Sequence, residues 1–254
     1  MNGPKEIANN YIISAKEKTS AVWHRLLLLA VLAGAFIALA GALATVAGAA
    51  ASENALLIKG AVFPLGLMLV VVCGSELFTG NCLLVAPLLN KDIKIGGMLK
   101  NWGLAYLGNF IGATLIAVLV VYSKTYSGNV GVAAVSVVAA KSELNFGVSL
   151  LKGILCNMLV CLAVWMAMAS KSAAGKLLAV YMPVFAFVVC GFEHSIANMF
   201  YIMSAAMVNS GGFNFGYAIL NGLLAPTIGN IIGGALIAVA FWVLHFKRKE
   251  KIVI

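Results

Sequence analysis

Val71-Val72-Cys73-Gly74-Ser75-Glu76-Leu77-Phe78-Thr79-Gly80-Asn81 cuts through an apolar run that extends from about Leu56 to Leu89. That run is too long for one bilayer crossing, which takes about 20 residues of helix. The phrase returns as Val188-Val189-Cys190-Gly191-Phe192-Glu193-His194, inside a second long run from about Leu177 to Val208. Asn198 then stands where Asn81 stood, at the same offset of 117 residues that separates Gly74 from Gly191. A second block repeats further on, in the same order. Gly108-Asn109-Phe110-Ile111-Gly112 matches Gly229-Asn230-Ile231-Ile232-Gly233, and Leu115-Ile116-Ala117-Val118 matches Leu236-Ile237-Ala238-Val239. Chance similarity between apolar helices is common, but two ordered blocks that share Glu and Asn mark an internal duplication.

Around the two interrupted runs the remaining apolar stretches fall at about Leu26–Gly48, Asn101–Tyr122, Phe146–Ala169 and Tyr217–Phe246. The sequence therefore predicts an all-α integral membrane protein with six spans. These form two three-span repeats, about 26–122 and about 146–246, within one pore domain at 26–246. An odd number of spans forces the second repeat to enter from the opposite face, so the repeats are inverted, with broken second and fifth helices. Gly34, Gly41 and Gly48 recur every seven residues along the first span, a small-residue stripe that admits a close neighbour.

Composition agrees. Of the 254 residues, 63% are hydrophobic and 10% charged, with mean hydropathy +1.03, where a soluble domain carries about 25% charged residues. The net charge of +9 would suggest nucleic acid in a soluble protein, yet here the basic residues lie in the gaps between spans. Lys5, Lys16, Lys18, Arg25, Lys91, Lys94, Lys100, Lys171, Lys176, Lys247, Arg248, Lys249 and Lys251 fall on one side, and Lys59, Lys124 and Lys141 on the other. The positive-inside rule then places both termini in the cytoplasm, with the chain in the cell membrane and in contact with lipid. Residues 1–25 lack the short apolar core of a removable signal and read as a cytoplasmic segment, where Ile7, Tyr11 and Ala15 on one helical face suit an interfacial helix and an ordinary solvated lead-in equally. Residues 247–254 read as a basic cytoplasmic tail. The five cysteines lie in apolar stretches without CxxC spacing and read as packing residues, so no metal and no cofactor is expected.

Paired broken helices in inverted repeats point to a site near the bilayer midplane, and backbone freed at that depth survives only buried or along an aqueous path. Half-helix N-termini favour an anion there. Glu76 and Glu193 are read as opening the second half-helix of each break and accepting backbone N–H groups. A buried carboxylate wants a cation. Lys141 is the candidate for Glu193, and Lys18 or Lys16 for Glu76, with Asn198 and Asn81 as neutral companions. His194, the one histidine within a span, is placed at the pore, with Thr79 across the waist from it. Lys152 departs from the apolar pattern of its helix and is expected to snorkel outward. Asn109 and Asn230, repeat mates, suit interhelical bonding as well as they suit facing a substrate.

At these residues the chain resembles the formate/nitrite transporter family. The resemblance rests on Cys73–Asn81 and Gly191–Met199, supported by Asn157–Met166 and Thr227–Gly234. It implies a homopentamer of aquaporin-like protomers, each conducting formate, nitrite or hydrosulfide, or lactate in some members. It makes His194 the central pore histidine and Thr79 its partner on a mobile loop, with Asn157 and Asn230 polar near the waist. Phe63, Leu67, Leu77, Phe78, Val160 and Phe187 become the apolar constrictions, and Lys141 the outer lysine that attracts the anion. The expected function is thus passage of small monovalent anions of weak acids, with transient protonation as one route past the constrictions. Two rivals are weaker. A neutral-solute channel of aquaporin type would carry Asn-Pro-Ala pairs, but Asn81 and Asn198 are followed by Cys82-Leu83 and Met199-Phe200. An intramembrane serine hydrolase using Ser75 or Ser195 lacks a GxSxG turn.

Overall fold

The computed structural model describes residues 1–51 and 53–246. The basic tail expected at 247–254, with Lys247, Arg248, Lys249 and Lys251, lies outside them. No strand occurs among the described residues. Helix α1 (Pro4–Ser20) is amphipathic and buries Ile7, Ala8, Tyr11 and Ala15. Helix α2 (Trp23–Ala50) is followed by α3 (Ala55–Val62) and α4 (Leu65–Val72), which are parted at Pro64. After the first break come the short α5 (Phe78–Asn81) and α6 (Val85–Leu89), then α7 (Ile95–Tyr122). The second half runs through α8 (Gly128–Ser142), α9 (Phe146–Ala169), α10 (Ala173–Val189) and α11 (Ser195–Asn209). It closes with α12 (Phe215–Tyr217), a π-helical turn (Ala218–Leu224) and α13 (Ala225–His245).

Five helical stretches are long and apolar enough to cross a bilayer: Trp23–Ala50, Ala55–Val72, Ile95–Tyr122, Phe146–Ala169 and Phe215–His245. Ala173–Val189 is a shorter apolar helix of 17 residues. Their outward faces carry leucines such as Leu28, Leu32, Leu115 and Leu119, all exposed. In water such a surface would be costly, whereas a lipid surround accepts it.

Backbone contact replaces side-chain packing where the long helices cross. A Cβ added at Gly112 of α7 would overlap the carbonyl of Val31 in α2, and one at Gly233 of α13 would overlap that of Ile154 in α9. The expected glycine stripe on α2 divides its work among three partners. Gly34 meets Asn109 of α7, Gly41 meets Phe200 of α11, and Gly48 meets the stem of Lys59.

Three expected boundaries move. The first break is shorter than Gly74–Asn81, because helix resumes at Phe78 and takes in Thr79 and Asn81. Helix α7 starts at Ile95, ahead of Asn101, and the last stretch contains the π-helical turn. Helix α8 lies in what the sequence left as a connection. It is a counterpart of α1, since Lys18 and Lys141 sit near the ends of the two helices.

Candidate functional site

Each break ends its helix the same way. Gly74 and Gly191 adopt left-handed φ of 63° and 64°. The next N–H groups, of Ser75 and Phe192, donate back to Val70 O at 3.0 Å and Phe187 O at 2.9 Å. This is the glycine-terminated helix cap, in which only glycine takes the conformation without strain. The chain then runs extended. Glu76 N–H donates to Leu29 O at 3.2 Å and Glu193 N–H to Lys152 O at 3.3 Å, which ties each link to α2 or α9.

The glutamates do not open the following helices, as the sequence reading had them. They lie in the links, and their carboxylates meet side chains. Lys18 Nζ stands 2.7 Å from Glu76 Oε1 and Lys141 Nζ 2.6 Å from Glu193 Oε2. Asn81 Nδ2 donates to Glu76 Oε2 at 2.7 Å and Asn198 Nδ2 to Glu193 Oε2 at 2.6 Å. Capping falls instead to asparagines on the crossing helices. Asn109 Oδ1 accepts from Phe78 N–H and Asn230 Oδ1 from Ser195 N–H, both at 2.9 Å. Asn109 Nδ2 donates to Ala30 O and Glu76 O, and Asn230 Nδ2 to Gly153 O and Glu193 O. With every polar atom committed to backbone, Asn230 holds the break and does not face a passage.

The sequence reading missed Asn101. Its Oδ1 accepts from Asn81 Nδ2 at 2.8 Å. At the equivalent point of the second half, Asn198 Nδ2 donates to the carbonyl of Gly222 at 2.6 Å. Gly222 lies in the π-helical turn, which withdraws a carbonyl from the ordinary ladder and so supplies with backbone what Asn101 supplies with a side chain. The offset of 121 residues that joins Asn109 to Asn230 also joins Asn101 to Gly222, a signal legible in the sequence only once the bond is known.

His194 and Thr79 bring the two breaks together, with Nε2 and Oγ1 3.1 Å apart and both residues buried. Ala197 N–H donates to His194 Nδ1 at 3.1 Å, so Nδ1 carries a lone pair. The proton of the neutral ring is then on Nε2 and points at Thr79 Oγ1, which leaves the threonine's own O–H free to donate elsewhere. Asn157 Nδ2 donates to Thr79 O at 3.1 Å and Asn230 O at 2.6 Å, fixing the threonine's backbone from α9. Asn157 Oδ1 is buried without a partner. The Phe187 ring lies nearly parallel to the imidazole, 12° apart at 5.8 Å between centroids, and Phe63 stands edge-on to Phe187.

Two cavities approach this pair. One, of about 290 Å³, is lined by Lys141, Glu193, Asn198, His194, Phe63 and Phe187 among others. The other, of about 670 Å³, is lined by Lys18, Glu76, Asn81, Leu67 and Leu77, with Gly80 beside Thr79. Two expected constriction residues line neither of these cavities. Phe78 packs its ring against Trp102 and Tyr106 and borders a separate cavity on α7. Val160 is buried and borders neither of the two cavities. Lys152 does not snorkel outward: it lines the Lys141 cavity, because α9 presents it beside the link that its own carbonyl holds. Cys82, Cys156 and Cys161 are buried free thiols, while Cys73 and Cys190 are exposed.

The chain is similar to known proteins. The family described as Formate/nitrite transporter matches residues 5–244. The chain is 38% identical to the "Uncharacterized transporter YrhG" of Bacillus subtilis (strain 168), over 98% of this chain and 95% of the relative. It is 36% identical to the "Formate channel FocA" of Escherichia coli (strain K12), over 87% of each. A solved "Pentameric formate channel with formate bound" superposes with a TM-score of 0.77 at 31% identity, covering 87% of this chain and 96% of that one.

Proposed function

The chain belongs to the formate/nitrite transporter family, a multi-pass membrane protein that transports and is no enzyme, and from that premise we propose that it is a homopentameric channel for small monovalent anions of weak acids. Formate, nitrite and hydrosulfide are its substrate class. Each protomer crosses the cell membrane six times as two inverted three-span halves, with both termini cytoplasmic. Residues 1–25 and 247–254 then flank a single pore domain, 26–246, on the cytoplasmic side. The Lys141 cavity is the outer vestibule and the Lys18 cavity the inner one.

One observation carries the reading: the buried hydrogen bond between His194 and Thr79, which joins the two breaks beside these cavities. An ion leaving water for an apolar waist loses several kcal/mol of hydration unless donors replace the water. The Thr79 O–H, left free because Thr79 Oγ1 accepts the His194 Nε2–H, is one such donor, and the imidazole N–H is a second once the anion displaces the threonine oxygen. Lys141 outside and Lys18 inside relay the anion by offering the ammonium N–H bonds that Glu193 and Glu76 leave free, while Asn198 and Asn81 steady those carboxylates. Phe63, Leu67, Leu77 and Phe187 narrow the path, with Phe78 and Val160 backing it. Asn157 and Asn230 set the geometry from behind.

Crossing as the neutral acid is the second route, and it selects conjugate bases of weak acids over chloride. A proton taken up at His194 Nδ1 must displace the Ala197 N–H, so protonation of the ring and integrity of the α11 cap are coupled. The test is a flux panel in proteoliposomes with formate, nitrite, hydrosulfide, lactate, chloride and glycerol at several pH values. Passage of the first three with exclusion of chloride is expected. Equal passage of glycerol would instead favour an aquaporin-like channel for small neutral solutes.

A further inference from the structure

The Lys141 cavity holds three lysines and one carboxylate among the described residues that line it: Lys59, Lys141, Lys152 and Glu193. Lys141 and Glu193 are 2.6 Å apart and offset each other. Neither Lys59 nor Lys152 makes a side-chain hydrogen bond or ion pair among the described residues, and both are half-buried. The uncompensated positive charge of this mouth therefore resides on two residues that the reading of the pore does not use. The opposite mouth is more nearly balanced, with Lys18, Arg25 and Lys176 set against Glu17 and Glu76.

We infer that Lys59 and Lys152 form an anion-collecting site at the Lys141 mouth, which captures small monovalent anions by charge and leaves their discrimination to His194 and Thr79. The inference rests on the anion-channel reading above. The fold anchors both residues and leaves their ammonium groups mobile. The stem of Lys59 lies across Gly48 of α2, where an added Cβ would overlap its Cε. Lys152 is on the turn of α9 whose carbonyl holds the Glu193 link, so its backbone is fixed by the break itself. Two like charges inside a low-dielectric funnel focus the field and raise the local concentration of a counter-ion by about tenfold or more. Bulk salt screens an approaching ion only beyond about 8–10 Å. Water-separated capture by flexible ammonium groups reads charge and ignores shape, so formate, nitrite, hydrosulfide and chloride all bind there.

The test measures influx from this side in oriented proteoliposomes at low salt, across a concentration series of each anion the unmodified protein conducts. Lys152→Met and Lys59→Met should each raise the half-saturating concentration about threefold to tenfold, by the same factor for every conducted anion. The maximal rate should hold, Lys152→Arg should stay near the starting value, and high salt should erase the difference. A second readout needs no conduction. Leu56, exposed on the same cavity, is replaced by Cys in a Cys73→Ser, Cys190→Ser background and labelled with an anionic or a cationic methanethiosulfonate. The anionic reagent should react faster, and Lys152→Met should shrink that preference severalfold. If anions pass but half-saturation and labelling preference are unchanged by the lysine substitutions, the collecting site is overturned and the channel stands. If no anion passes but the labelling preference depends on the lysines, the collecting site stands and the channel reading falls.

Discussion

At the break of the first half, Leu77 precedes α5 and Thr79 lies within it; at the equivalent points of the second half stand His194 and Ile196. Around these four residues the two halves share one supporting frame. A left-handed glycine, a link tied to the preceding long helix, an asparagine cap from the crossing helix and a lysine–glutamate–asparagine triad occur in each. The frame is duplicated and its contents are not. One half contributes the imidazole and the other the hydroxyl, and the hydrogen-bonded pair exists only where the two frames face each other. A broken helix leaves backbone groups that must be satisfied when buried, and the same set of interactions does so at both breaks. The residues at two positions make the meeting point chemically distinct from either half.

Breaking the unshared contents should have the largest effect on flux. His194→Phe removes one donor from a dry site, and a hydrogen bond to a charged group is worth about 1.5–3 kcal/mol. Anion flux should fall roughly tenfold to hundredfold, with its pH dependence altered, in the flux panel. Unchanged flux at every pH would refute the assignment. Next come the shared triads, which are alike in bonding and differ in wetness: the Lys141–Glu193 side chains are 15% and 4% exposed and the Lys18–Glu76 pair 21% and 8%. Removing one partner of a buried pair costs about 3–5 kcal/mol. Lys141→Met should approach that figure in thermal unfolding in detergent, and Lys18→Met should cost less because water reaches it more easily. Equal losses would show that the two frames have the same dielectric surroundings. The smallest effect belongs to the turn glycines. Nothing lies within 4 Å of a Cβ added at Gly74 or Gly191, so an alanine there meets only the backbone penalty of its φ. Gly74→Ala and Gly191→Ala should each cost about 1–2 kcal/mol, matched within error. A clear inequality would mean that the two turns are not held alike.

Much of this was legible in the chain. The doubled Gly-x-Glu phrase located both breaks, the need of a buried carboxylate for a cation named Lys141 and left Lys18 beside Lys16, and the lone mid-span histidine pointed to the contact with Thr79. What escaped detection depended on contacts between distant segments. Asn109 and Asn230 left two readings open, because a capping amide and a substrate-facing amide look the same in sequence. Helix α8 was passed over, since Gly128–Ser142 is too short to cross a membrane and too small-residue-rich to show a strong apolar stripe. Lys152 was misplaced because helical periodicity gives a direction around one helix without saying what lies beyond it.

The sequence by itself determined the apolar helices, their two interruptions and the residue types that must be compensated there. Hydropathy, turn chemistry and the cost of a buried charge act locally, and their demands can be counted along the chain. Only the tertiary structure decided that His194 meets Thr79 across 115 positions, that asparagines cap helices they do not belong to, and that a π-helical carbonyl stands in for Asn101. Those outcomes follow from backbones brought into contact at Gly112 and Gly233, which fixes which polar groups fall within hydrogen-bond reach of one another.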